Sequence, residues 1–105
     1  MRNIYLTPEQ PTIKRSYLKG DEVFCICDAT NAPFTVMLPD VSNIENVIVN
    51  LINTSSNIVS AAPISRQFIN DVQLIALDKF DVYRLIADSQ NNRWIIVCSK
   101  TMIYI

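Results

Sequence analysis

Residues 28–40 read Asp-Ala-Thr-Asn-Ala-Pro-Phe-Thr-Val-Met-Leu-Pro-Asp: a turn, an alternating strand and a proline stop. Phe34, Val36 and Leu38 share one face by strict alternation, and Pro39 ends the strand by removing a backbone donor. Runs rich in isoleucine and valine lie on either side, at residues 23–27, 47–52, 58–60, 72–77, 82–87 and 93–98. β-Branched residues fit a pleated sheet. The segments between them, 28–32, 54–57, 78–81 and 88–92, are rich in Asp, Asn, Ser and Thr, the residues of turns, although 78–81 also holds Lys79 and Phe80. Short strands broken by regular turns predict an all-β chain. The expected form is a compact antiparallel β-sandwich or barrel-like domain of about 7–8 short strands. Residues 23–27 and 34–38 are expected to pair as a hairpin, 58–60 to fold back on 47–52, and 82–87 to pair with 93–98. Residues 42–45, Ser-Asn-Ile-Glu, have the form of a capping box and predict a single helical turn. Residues 102–105 would add a terminal strand.

The chain has one glycine, Gly20, where average usage would supply roughly seven. Asparagine tolerates the left-handed backbone best among residues with side chains. Asn31, Asn57, Asn91 and Asn92 all fall at expected turns.

Residues 1–20 differ from the rest. Pro8 and Pro11 exclude regular helix and favour an extended path, while Tyr5, Leu6, Ile13, Tyr17 and Leu18 keep the segment apolar. Two readings stand: an extended N-terminal arm that docks on a neighbour through those side chains, or an edge strand folded on its own domain. The division is an arm over 1–20 and a β-domain over 21–105.

Half of the 105 residues are hydrophobic and 18% are charged, against a usual quarter. In the last hairpin Tyr83, Leu85 and Ala87 lie on one face, with Trp94, Ile96 and Cys98 opposite them. The other face still carries Val82, Ile86, Ile95 and Val97. A sheet apolar on both faces is covered on both. The second cover is either another subunit or a second sheet of the same chain. Val82, Ile86, Trp94, Ile95 and Val97 are therefore candidate core or oligomer positions. The shortage of polar surface leans towards an oligomer.

No histidine is present, which excludes Ser-His-Asp, Cys-His and histidine-metal sites. No glycine-rich loop exists to cradle a phosphate. The acids fall mainly in turns, and Trp94 beside Ile96 on an alternating strand is a core residue rather than a sugar platform. No catalytic, metal or cofactor site is expected. The net charge of −1 gives nucleic-acid binding no support. No stretch approaches the apolar length of a membrane span. Cys25, Cys27 and Cys98 lack metal-ligand spacing and suit a reducing compartment, so folding in the cytoplasm is expected.

The order of these elements resembles a small trimeric β-domain of bacteriophage virion appendages: head-fibre, capsid auxiliary and tail-fibre proteins. That family's layout is an Asp-Ala/Ser start, an alternating strand ending in Leu-Pro, a strand, a Ser-Asn turn and a last strand beginning near Trp. Here these are Asp28-Ala29, residues 34–39, residues 47–53, Ser56-Asn57 and residues 94–97. The resemblance spans residues 22 to 98, with Asn46 and Asn70-Asp71 standing near places where the family commonly has glycine. It implies a homotrimer attached to other virion proteins through an N-terminal segment. A short chain without heptads, collagen-like repeat or receptor-binding tip suits a capsid-surface decoration protein or the base of a head fibre. The alternatives are a tail-fibre or glycan-binding module and a small intracellular inhibitor of a host protein.

Overall fold

The computed structural model describes residues 2–18 and 22–101; Gly20 and the expected strand at 102–105 lie outside the described residues. The described chain is all-β. Its strands are β1 (Arg2–Leu6), β2 (Glu22–Cys27), β3 (Phe34–Met37), β4 (Glu45–Asn53), β5 (Val59–Ala62), β6 (Phe68–Ile69), β7 (Ile75–Leu77), β8 (Asp81–Asp88) and β9 (Arg93–Thr101). Six form one sheet in the order β1-β2-β4-β8-β9-β6, and three form a second in the order β3-β5-β7.

The expected antiparallel pairing is corrected to a mixed one. β1, β2 and β4 run parallel, as do β3 with β5 and β6 with β9; β4-β8, β8-β9 and β5-β7 are antiparallel. β2 and β3 are not a hairpin, because they lie in different sheets. β5 likewise pairs with β3 and β7 rather than back on β4. A parallel neighbour needs a crossover connection. Here the crossover is a strand of the opposite sheet, so the short link at 28–32 turns a corner instead of reversing the chain.

The result is a solenoid-like coil. Ile4 sits beside Cys25, 21 residues on, and Cys25 beside Leu51, 26 residues on. On the other wall Thr12 stands beside Met37 and Met37 beside Ala62. Hydrogen bonds between coils span similar intervals: the Asp28 N–H donates to the Leu6 carbonyl (2.9 Å) and the Thr54 N–H to the Cys27 carbonyl (3.0 Å). The Ala29 N–H donates to the Ser55 hydroxyl (2.8 Å). Each coil pairs edge to edge with the next, as in repeat folds, while the two walls cover each other's inner faces. After β4 the stacking ends in the antiparallel β8–β9 hairpin. At the β1 end Tyr17 and Leu18 pack against the core.

Residues 1–20 are thus no separate arm where they are described. β1 is an edge strand of the large sheet, and Leu6 and Ile13 are each 1% exposed within the core. Proline-rich extended backbone suits a coil as well as a free arm, and burial of these two side chains favours the coil.

Inward rows fill the space between the sheets. Val23, Val49 and Leu85 align across β2, β4 and β8, as do Cys25, Leu51 and Tyr83, and they face Val36, Val59, Ala61 and Leu77. Trp94 is fully buried, and its indole N–H donates to the Pro39 carbonyl at 3.3 Å. The 42–45 segment forms a tight turn, closed by the Ile44 N–H on the Val41 carbonyl, and no helix. Left-handed backbone falls on Asn43, Asn46, Asn70 and Asn92, and also on Arg66 and Phe80. Asn46 and Asn70 hold left-handed backbone that glycine would ordinarily take. Asn57 instead works through its side chain, donating to the Ala29 carbonyl at 2.8 Å.

Candidate functional site

The outward face of the large sheet is the feature that the core does not explain. Strand register lays its side chains in rows. Tyr5, Ile26, Ile52 and Val82 form one row across β1, β2, β4 and β8. Asn3, Phe24, Asn50, Arg84 and Cys98 form the next, and Glu22, Ile48, Ile86 and Ile95 the third. Asp88, Arg93 and Phe68 form a fourth row at the rim. Phe24, Ile26, Ile48, Ile52, Val82, Ile86 and Ile95 are each half-buried, because cross-strand neighbours cover one another's flanks. Apart from Phe24, they form two apolar rows on either side of a middle row that carries Asn3, Asn50 and Arg84. The outward face of the small sheet carries Thr35, Ser60 and Ala76 in one row and Met37 beside Ala62 in the next, small side chains apart from the exposed Met37.

Polar groups on the large face pair with one another. Glu22 Oε2 accepts a 2.6 Å hydrogen bond from Asn50 Nδ2, which also donates to the Val23 carbonyl at 3.2 Å. Arg84 meets the same carboxylate oxygen at 3.7 Å. At the rim Arg93 and Asp88 form a 3.1 Å pair, and the Asn91 amide, together with Arg93, holds the Asp88 carboxyl below its ordinary range.

The candidate residues divide between this face and the core. Val82, Ile86 and Ile95 lie on the face, with Ile86 directly opposite Ile95. Val97 is 57% exposed at a bulge between the Arg84–Cys98 and Leu85–Ile96 pairs. That extra residue moves Cys98 off the face that Trp94 and Ile96 occupy, correcting the expected alternation. Trp94 is core. Tyr5, at 67% exposure, extends the face to its edge, while Leu6 and Ile13 are sealed inside. Phe24, Ile26, Ile48, Ile52, Glu22, Asn50 and Arg84 were not singled out by sequence. Their signal was present in β4, where Ile48 and Ile52 alternate with buried Val49 and Leu51, so that both faces are apolar.

Among the described residues no group of three or more Cys, Asp or Glu side chains is placed to hold a metal ion, and no helix is long and apolar enough to cross a membrane. The buried thiols of Cys25 and Cys27 are pushed up to about 12 by desolvation, which leaves them protonated and inert at neutral pH. Comparison with known protein families, with curated proteins and with solved structures found no match for the chain.

Proposed function

We propose that this chain is a bacteriophage virion structural protein, a capsid-surface decoration or head-fibre component that associates as a homotrimer through its β-domain and has no catalytic role. The apolar outward face of the large sheet carries the reading. Seven apolar side chains on β2, β4, β8 and β9 point outward and are each only half-buried, more than one sheet face needs when water covers it. Glu22 and Arg84 on this face have opposite signs, so like copies can meet there without a net repulsion between these two groups. The assignment to a virion rests on the resemblance over residues 22–98. The N-terminal docking arm is not part of the proposal, since two of its anchors are core residues.

The test is absolute mass by light scattering across a wide concentration range, beside mass spectrometry of purified particles. The expected mass is three times the 11.9 kDa of one chain. Ile52→Asp and Ile86→Asp, each placing a charge in the middle of the face, are expected to return a single-chain mass while leaving the β circular-dichroism signal intact. A single-chain mass for the wild type at every concentration refutes self-association. Absence from particles refutes the virion assignment.

A further inference from the structure

We propose that Glu22, Asn50 and Arg84 set the register of the contact between copies of this chain, with Arg84 pairing across the outer face with Glu22 of a neighbouring copy. The inference rests on the self-association proposed above and names what orients it.

Glu22 and Arg84 lie within the apolar area, next to Phe24, Ile48 and Ile86. They are held unequally. Asn50, only 5% exposed, pins Glu22 with its 2.6 Å bond and is itself anchored on the Val23 carbonyl. Arg84 touches Glu22 through one guanidinium nitrogen at 3.7 Å, beyond hydrogen-bond range, and its side chain is 44% exposed. A guanidinium carries five donors in a planar fork. The pair within one chain is therefore a fixed acceptor beside a guanidinium that meets it through one nitrogen and keeps an exposed fork.

The chemistry of the face selects a like copy as the occupant. Glu22 and Arg84 have opposite signs and stand two strands apart, with β4 between them. A second copy presents the same two groups, so one rotation or shift brings each Arg84 to a Glu22. A partner of a single sign would set one of the two against a like charge. Apolar β-faces are permissive about sliding. A paired charge inside such a contact penalises every register that leaves it buried and alone.

The experiment compares wild type with Arg84→Glu, Glu22→Arg, the double exchange and the apolar pair Glu22→Leu/Arg84→Met. Sedimentation reads association, and urea unfolding of dilute protein confirms that each variant folds. Each single exchange is expected to weaken association at least about tenfold, because like charges then meet across the contact. The double exchange is expected to recover part of the association, since opposite charges again meet across the contact while the Asn50 bond to position 22 is lost. The apolar pair is expected to keep associating but to give mixed masses. An unchanged association constant for Arg84→Glu, or one uniform wild-type mass for the apolar pair, overturns the assignment. If wild type itself never associates, the self-association reading falls first. If it associates and the exchanges do nothing, only the pairing falls.

Discussion

Asn53 is the side chain on which the stacked coils depend most directly, and its removal has a calculable effect. It is fully buried. Its amide donates to the carbonyls of Asn57 and Leu77, both at 2.9 Å. Its oxygen accepts from the Ser55 N–H at 2.9 Å and the Ser55 hydroxyl at 2.7 Å. Ser55 in turn receives the Ala29 N–H from the coil before. Asn53→Ala removes all four bonds. At a net ~1 kcal/mol each the loss is about 4 kcal/mol, and more where a partner is left dry. The Ser55 hydroxyl keeps the Ala29 contact and is free to rotate, which lowers the figure to about 3–4 kcal/mol. For a chain of this size, with a total stability of about 5–15 kcal/mol, that is a large fraction. With a urea slope near 2 kcal/mol/M the midpoint should fall by roughly 1.5–2 M at unchanged slope. Asn53→Asp sharpens the test. The carboxylate still accepts from Ser55 but faces two carbonyls where the amide donated. Burial raises its folded-state pKa above the unfolded value, so the variant should lose stability as pH rises from the unfolded value of about 3.9 through the raised folded value. A loss below about 1 kcal/mol for Asn53→Ala would mean that water replaces these bonds, and the account of coil stacking would be wrong.

Thiol counting checks the core. Cys98 is exposed while Cys25 and Cys27 are buried, so one of three cysteines should react promptly with a disulfide reagent at neutral pH, and all three after denaturation. Prompt reaction of two or three in native protein would contradict the inward placement of β2. Acid titration checks the corners. The Asp40 carboxyl is held down to about 2 by the Ser42 N–H and hydroxyl and by the Gln67 amide, and Asp28 is lowered by the Thr30 hydroxyl and N–H. A depressed carboxylate contributes stability that is complete above its unfolded value of about 3.9 and lost as pH falls through its folded value. Urea midpoints should therefore drop between about pH 4 and 2, and Asp40→Asn should flatten that slope. An equal slope in the variant would refute the role given to the Asp40 turn.

Much of the local structure was legible because alternation is a short-range property. The β8–β9 hairpin, the strand at 34–37 and the two-faced apolar character of Val82, Ile86 and Ile95 all follow from period-two patterns within a few residues. Pairing partners did not follow. A short link such as 28–32 serves a hairpin or a corner equally well, and only the coil's width decides between them. The trace of stacking was present all the same: Cys27-Asp28-Ala29-Thr30-Asn31 and Asn53-Thr54-Ser55-Ser56-Asn57 occupy matching corners 26 residues apart. The repeat is one of shape and polarity more than of identity, which is why it escapes notice in a single chain. On the candidate face, Val97 marks where alternation fails, since one bulged residue reverses the sense of every side chain after it.

The use of asparagine where turns ordinarily take glycine has a consequence for chemical ageing. Asparagine deamidates when the next residue's backbone nitrogen attacks its side-chain carbonyl, and a following glycine makes that attack easiest. The only glycine here follows Lys19, so the chain has no Asn-Gly step. Asn3, Asn43 and Asn57 precede isoleucine, Asn46 precedes valine and Asn53 precedes threonine, each a β-branched residue that hinders the attack. Left-handed corners at Asn43 and Asn46 are thus obtained without the most labile dipeptide. For a part proposed to persist in a particle that makes no replacements, that selects for slow loss of the corners that hold the coils in register.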